Sequence, residues 1–263
     1  MSRIFVDIGN SRFKSALEVN GVLQPFETFA WHDVFLNEVL SKVWLEHLAG
    51  EVPESIYVSN VAGDRLLPNL DAWCCATWNQ KPIAMTSTPE FRGLTNGYKE
   101  PTTLGVDRWA ALIGARALHT GALCVVDSGT ATTVDVVTAQ GQFIGGAILP
   151  GIYTMRRSLA KYTAALFAAD GDISPFSDNT ASGIAGGTGY ASVGAIERLI
   201  DEAGKAVGPV TTVVTGGEAG VLESLLKREA VYDPILVLHG VRAFADHLQS
   251  SGEAVDSTCP PPL

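Results

Sequence analysis

Apolar and polar positions along the chain follow two rhythms. Residues 4–8 form a β-branched run that ends on a polar turn, and residues 13–19 repeat the extended pattern. Asn20-Gly21 is a strong hairpin signal leading into a third strand over 22–29. The rhythm then lengthens, with Leu36, Val39, Leu40, Val43 and Trp44 recurring at the spacing of an amphipathic helix. A strand over 55–61, a helix over 66–78 and a short strand over 82–85 complete a β-β-β-α-β-α-β order. Beyond Pro101, Trp109, Leu112, Ile113 and Arg116 mark another helix.

The pattern then restarts. Strands over 122–128, 132–137 and 142–149 precede helical segments around 153–167 and 192–203. A strand over 211–215, a helix over 219–228, a strand over 235–238 and a helix over 241–248 close it. Both halves open with three strands, and the first of each ends in Asp-x-Gly: Asp7-Ile8-Gly9 and Asp127-Ser128-Gly129, 120 residues apart. That period is too long for a solenoid. It predicts one α/β fold used twice, a first domain over 1–118 and a second over 119–250. Residues 251–263, with Pro260-Pro261-Pro262, carry no periodicity and are expected to be unstructured.

Composition narrows the function. With 263 residues, 46% hydrophobic and 17% charged, the chain has ample material for a core, which excludes a disordered protein. A formal net charge of −10 argues against a nucleic-acid partner, whose footprint is basic. No window approaches 18 uncharged apolar residues, and no apolar leader opens the chain, so neither a membrane span nor a signal peptide is expected. Cys74, Cys75, Cys124 and Cys259 fit no C-x-x-C or zinc spacing and are expected as reduced, packed thiols of a cytoplasmic protein. The five histidines, scattered without pairing, suggest no metal site, and the five tryptophans fall mostly on apolar helical faces.

An acidic chain that binds an anion must do so with local devices. Asp7, Ile8, Gly9, Asn10, Ser11, Arg12, Phe13 and Lys14 form one candidate. Backbone N–H groups of a tight turn cradle phosphate oxygens, and Lys14 adds a point charge. The carboxylate, which phosphate repels, suits a metal or its waters. Alone, the stretch also reads as an ordinary hairpin turn. Its second copy, Asp127-Ser128-Gly129-Thr130, favours the nucleotide reading: two such loops facing across a cleft would grip phosphates. Gly145-Gly146 and Thr215-Gly216-Gly217-Glu218 would complete the wall and admit an adenosine. A third block runs from Tyr98 to Trp109 and places Asp107 and Arg108 in the first turn of a helix. Asp107 there can accept a proton from a substrate hydroxyl, and Arg108 can pair with a carboxylate or a developing phosphoryl charge. The plainer alternative is a capping Asp beside a surface Arg.

Together these blocks resemble type III pantothenate kinases, a family of the acetate and sugar kinase/Hsp70/actin superfamily. The matching residues are Asp7-x-Gly9-Asn10-Ser11, Tyr98-x-x-Pro101-x-x-Leu104-Gly105-x-Asp107-Arg108, Asp127-x-Gly129-Thr130-Ala131-x-Thr133-x-Asp135 and Gly145-Gly146-x-Ile148-x-Pro150-Gly151. The resemblance implies two duplicated ribonuclease H-like domains of the actin-like ATPase superfamily, with a central mixed sheet flanked by helices. It implies ATP-dependent phosphorylation of the pantothenate 4′-hydroxyl, the first step of coenzyme A biosynthesis, by a homodimer. In that picture residues 7–14 and Thr130 hold the ATP phosphates and Asp107 is the proton acceptor. Tyr98, Gly105, Val106, Asp107 and Arg108 shape the pantothenate pocket, joined by Thr180. Asp127 binds a monovalent cation, K+ or NH4+, used besides Mg2+. The chain departs from the family pattern at Asp178 and Gly183, where a basic residue and an alanine are expected, and at Leu166-Phe167 in place of Leu-Pro. Two other readings are another small-metabolite kinase of the superfamily and a non-catalytic transcriptional accessory factor. The 98–108 block speaks against the first. The acidic composition, without a helix-turn-helix signature, speaks against the second.

Overall fold

The computed structural model describes residues 2–163, 166, 170–252 and 257–260. The far end of the helix expected around 153–167, and residues 253–256 and 261–263 of the expected tail, lie outside the described residues. The chain divides into two compact units, one of residues 1–89, 100–117 and 236–263, the other of residues 90–99 and 118–235.

The first unit is built on strands β1 (Arg3–Ile8), β2 (Arg12–Val19), β3 (Val22–Pro25), β4 (Phe29–Ala30), β5 (Ser55–Asn60) and β6 (Ile83–Ala84). Their order is β3-β2-β1-β5-β6, with β4 also on β2. β1 runs antiparallel to β2 and parallel to β5, and all six of its residues are buried, as in a strand covered on both faces. Helices α1 (Leu36–Leu40), α2 (Glu46–Leu48) and α3 (Leu67–Trp78), with a π-helical turn at Ser41–Leu45, bring Leu40, Trp44, Leu70, Trp73 and Trp78 onto Ile4, Val6, Ile8 and Phe13. Trp44 stacks on Trp78 at 5.9 Å and meets Trp73 edge-on. Helix α4 (Val106–Leu118) buries Arg108 through Ala115 without a break.

The second unit opens with a small hairpin, β7 (Glu90–Phe91) and β8 (Leu94–Thr95), which the periodicity does not foreshadow. Its main sheet holds β9 (Ala122–Ser128), β10 (Ala131–Val137), β11 (Phe143–Pro150), β12 (Val210–Thr215) and β13 (Val231–Tyr232) in the order β11-β10-β9-β12-β13. β9 is antiparallel to β10 and parallel to β12, the relations that β1 has to β2 and β5. The duplication inferred from the paired Asp-x-Gly turns is thus a duplication of topology. Helices α5 (Ile152–Tyr162), α6 (Thr180–Val207) and α7 (Ala219–Leu225) cover a core that includes Val126, Val134, Ile152, Val193, Ile196, Val214 and Leu222.

The last helix, α8 (Leu236–Ser251), belongs to the first unit, where it packs on β1 and β5. Arg3 anchors it, pairing with Glu18 at 2.6 Å and with Asp246 at 2.7 Å. Of the run 235–238, expected as a strand, Leu236, Val237 and Leu238 open this helix and Ile235 lies in the turn before it. Leu238, Val241, Ala245 and Leu248 continue its buried face at helical spacing, and a short apolar run alone cannot distinguish the two states. α6 begins at Thr180, not near 192; Gly183, Gly186, Gly187 and Gly189 dilute the helical pattern and hide its first turns in the sequence. Its start is fixed by Asn179, whose Oδ1 accepts a hydrogen bond from Ser182 N at 3.0 Å. The expectation of four reduced thiols is corrected: Cys75 and Cys259 form a disulfide, while Cys74 and Cys124 are free and buried. Residues 257–260 carry no regular secondary structure, yet Ser257 O also accepts from Lys81 N. Among the described residues, no helix is long and apolar enough to cross a membrane.

Candidate active site

The antiparallel register of β1 and β2 puts Asp7 opposite Lys14 and Ile8 opposite Phe13. Gly9 N donates to Arg12 O at 3.0 Å and closes the turn between them. Asp7 is 7% exposed, Gly9, Ser11 and Lys14 are half-buried, and Asn10 and Arg12 face solvent. Ile8 and Phe13 are fully buried core residues that expose no surface. Two residues that the sequence marks as ordinary prove to brace this turn. Trp31 Nε1 donates to Gly9 O at 2.9 Å, and His32 Nε2 donates to Asn10 O at 3.0 Å. Nothing in their spacing signals this. It follows from the pairing of Arg12 with Ala30, which sets the short 3-10 turn Trp31–Asp33 beside residues 9 and 10.

Also in the first unit, a 3-10 turn, Pro101–Thr103, leads into α4, whose first turn carries Asp107 and Arg108 as the sequence predicts. Asp107 is half-buried, and its Oδ1 accepts a hydrogen bond from Arg108 N at 2.7 Å. Negative charge is favoured at a helix N-terminus. A Cβ at Gly105 would come within 2.7 Å of Asp107 Oδ1, so glycine there leaves the carboxylate its room. Arg108 is 7% exposed, in keeping with a guanidinium held in place rather than waving in solvent.

The second unit carries a similar turn, one residue shorter, after β9. Gly129 N donates to Ala131 O at 3.0 Å, with Asp127 half-buried opposite Thr133, and Thr130 exposed. Other segments buttress the backbone of this loop. Gly151 N and Thr154 Oγ1 both donate to Thr130 O, at 3.1 and 2.6 Å. Glu218 N donates to Ser128 O at 2.8 Å. Gly216, at φ +98°, lies against Ser128 O and Asp127 Oδ1, where any Cβ would collide. Gly145 and Gly146, expected to wall an adenosine, sit within β11 opposite Val136 and Asp135. Tyr98 stacks on Phe143 with ring centres 5.7 Å apart. It therefore belongs to the second unit, whereas Gly105, Val106, Asp107 and Arg108 belong to the first. Thr180, the first residue of α6, lines an apolar cavity of about 570 Å³ with Met155, Leu159, Ile184 and Thr188. Gly183 also borders it, and an alanine there would meet nothing within 4 Å. Asp178 is exposed, and Phe167 lies outside the described residues.

Comparison with known proteins adds three findings. Residues 3–202 match the family model described as type III pantothenate kinase. A protein of that name from Nitrosococcus oceani is 33% identical over 264 residues, covering 97% of this chain and 98% of its own; one from Azoarcus sp. is 43% identical over 208 residues, covering 77% and 74%. Among solved structures, a Campylobacter jejuni protein described as a Baf family transcriptional activator aligns over 95% of this chain and 98% of its own, with a TM-score of 0.54 at 21% identity.

Proposed function

The chain belongs to the type III pantothenate kinase family, and from that membership we propose how its residues divide the work of phosphorylating pantothenate with ATP. Its reaction is that of the family, transfer of a phosphoryl group to pantothenate on the way to coenzyme A. In the first unit the 9–12 turn, with Asp7 and Lys14 at its base, holds ATP phosphates through backbone N–H groups and the lysine ammonium. In the second unit Thr130 takes the same role at the corresponding turn. The observation that carries this reading is the repeated placement of Asp-x-Gly at the C-terminal end of the central strand of two sheets with one strand order.

Asp107 accepts the proton of the pantothenate 4′-hydroxyl as that oxygen attacks the γ-phosphorus and the bond to the ADP oxygen breaks. Little covalent help is required, so positioning and charge neutralisation dominate. Arg108, Gly105, Val106, Tyr98 and Thr180 are assigned to pantothenate, with Arg108 the partner for its carboxylate. Mg2+ and a monovalent cation, K+ or NH4+, neutralise phosphate charge when bound, and Asp127 would hold the monovalent ion. The donor chemistry fits such ions: Asp127, half-buried at the end of β9, offers the hard carboxylate oxygen that K+ and Mg2+ prefer. A chain of net charge −10 gains most from cations at that place. The assembly we propose is a homodimer acting in the cytoplasm, where ATP is drawn from the general pool. A regulator that binds DNA directly is not favoured, because the chain lacks a basic footprint.

ADP release measured with and without pantothenate, each in K+, NH4+ or Na+, tests the reading. Release that depends on pantothenate and on K+ or NH4+ is expected. Equal release without pantothenate would overturn it.

A further inference from the structure

We propose that Glu218 is a positioning residue that sets nucleotide affinity by fastening the turn after β12 to the loop after β9 and to the start of α5. The inference rests on the nucleotide role given above to the Asp127–Thr130 loop. Glu218 makes three contacts to two other segments. Its Oε2 accepts from Ile152 N at 2.8 Å and its Oε1 from Tyr153 N at 2.9 Å, so one carboxylate caps two of the orphan N–H groups that open α5. Its own N donates to Ser128 O at 2.8 Å. α5 is 11 residues long and its N-cap, Gly151, has no side chain to do this work. The carboxylate thus comes from 65 residues away in sequence.

The fastening is tight because glycines allow it. Gly216 lies against the Ser128 carbonyl and Gly151 against the Gly129 carbonyl, and a Cβ at either would collide with backbone. With Gly151 N and Thr154 Oγ1 on Thr130 O, the carbonyls of residues 128 and 130 are both engaged and that of 129 is closely packed. The loop's backbone is therefore held from its carbonyl side. Phosphate is bound by N–H and hydroxyl groups, so holding the carbonyls fixes the direction in which those donors point. The carboxylate also fills the N-terminus of α5, which removes that helix end as a competing anion site.

The test compares native chain, Glu218→Gln and Glu218→Ala by ADP titration calorimetry, steady-state KM for ATP and pantothenate, kcat, and thermal unfolding. Gln keeps the shape and one acceptor oxygen, so it should bind ADP between the other two. Ala should weaken ADP binding and raise the KM for ATP about tenfold, with the pantothenate KM and kcat within about twofold. If Ala lowers the unfolding temperature while ADP affinity stays native, the residue is only a structural cap and the proposal fails. Equal rises in both KM values would likewise overturn it. A native chain that binds no ADP would overturn the nucleotide reading itself, and this one with it.

Discussion

The proton acceptor proposed for this reaction, Asp107, can be tested by changing a single atom. Asp107→Asn keeps the shape of the first turn of α4 but cannot take a proton. Turnover should fall about 10²–10⁴-fold while ADP affinity, read by calorimetry, changes less than about twofold. Near-native turnover would remove the general-base role. The cysteines give a second check at this scale. Burial pushes the Cys124 thiol up to about 12, with the Asp135 charge adding to it, and burial also raises Cys74, helped by Asp71. Both stay protonated and unreactive below that range. Alkylation of the native protein followed by mass analysis should spare both and label Cys75 and Cys259 only after reduction. Asp7, Asp107 and Asp127 were legible in sequence because each marks the end of a strand or the start of a helix. The bracing roles of Trp31, His32 and Glu218 were not, because each acts on backbone that only the folded register brings near.

At the scale of elements, the pairing of β4 with β2 decides what the turn after β1 can do. Trp31→Phe keeps an aromatic ring in the core but removes the N–H that holds Gly9 O. The KM for ATP should rise about threefold, the size of one lost hydrogen bond, with the unfolding midpoint little changed. Helix packing makes a separate demand. A Cβ at Gly240 of α8 would strike the Ala110 carbonyl of α4, so Gly240→Ala should lower stability by about 1–3 kcal/mol in urea titration. Strands with a β-branched run and a following glycine, β1 and β9, could be read directly from the pattern. α8 could not be placed at its first turn, since its opening Leu236, Val237 and Leu238 carry no period of their own. The glycine-rich start of α6 was hidden for the opposite reason, a real helix whose residues disfavour helix.

The two main sheets share one design, and the first is closed by a helix from far along the chain. The duplication was visible in the Asp-x-Gly spacing. The return of α8 to the first unit was not, because no local signal states which sheet a helix covers. A chain ending at residue 235 should lose the first unit and keep the second. Limited proteolysis of that truncation is expected to leave a protected core that holds residues 90–99 and 118–235. Protection of the first 89 residues would contradict the grouping.

That return has a consequence for how the protein is born. β5 ends at Asn60, and its covering helix is complete only at Ser251. A ribosome adding about 5–20 residues each second leaves the first sheet without this partner for roughly 10–40 seconds. During that interval the second sheet, made later, can fold to completion, so the half synthesised first finishes last. Chaperones that guard nascent chains would find their client in the N-terminal strands, and slowed translation through α8 would prolong its need of them.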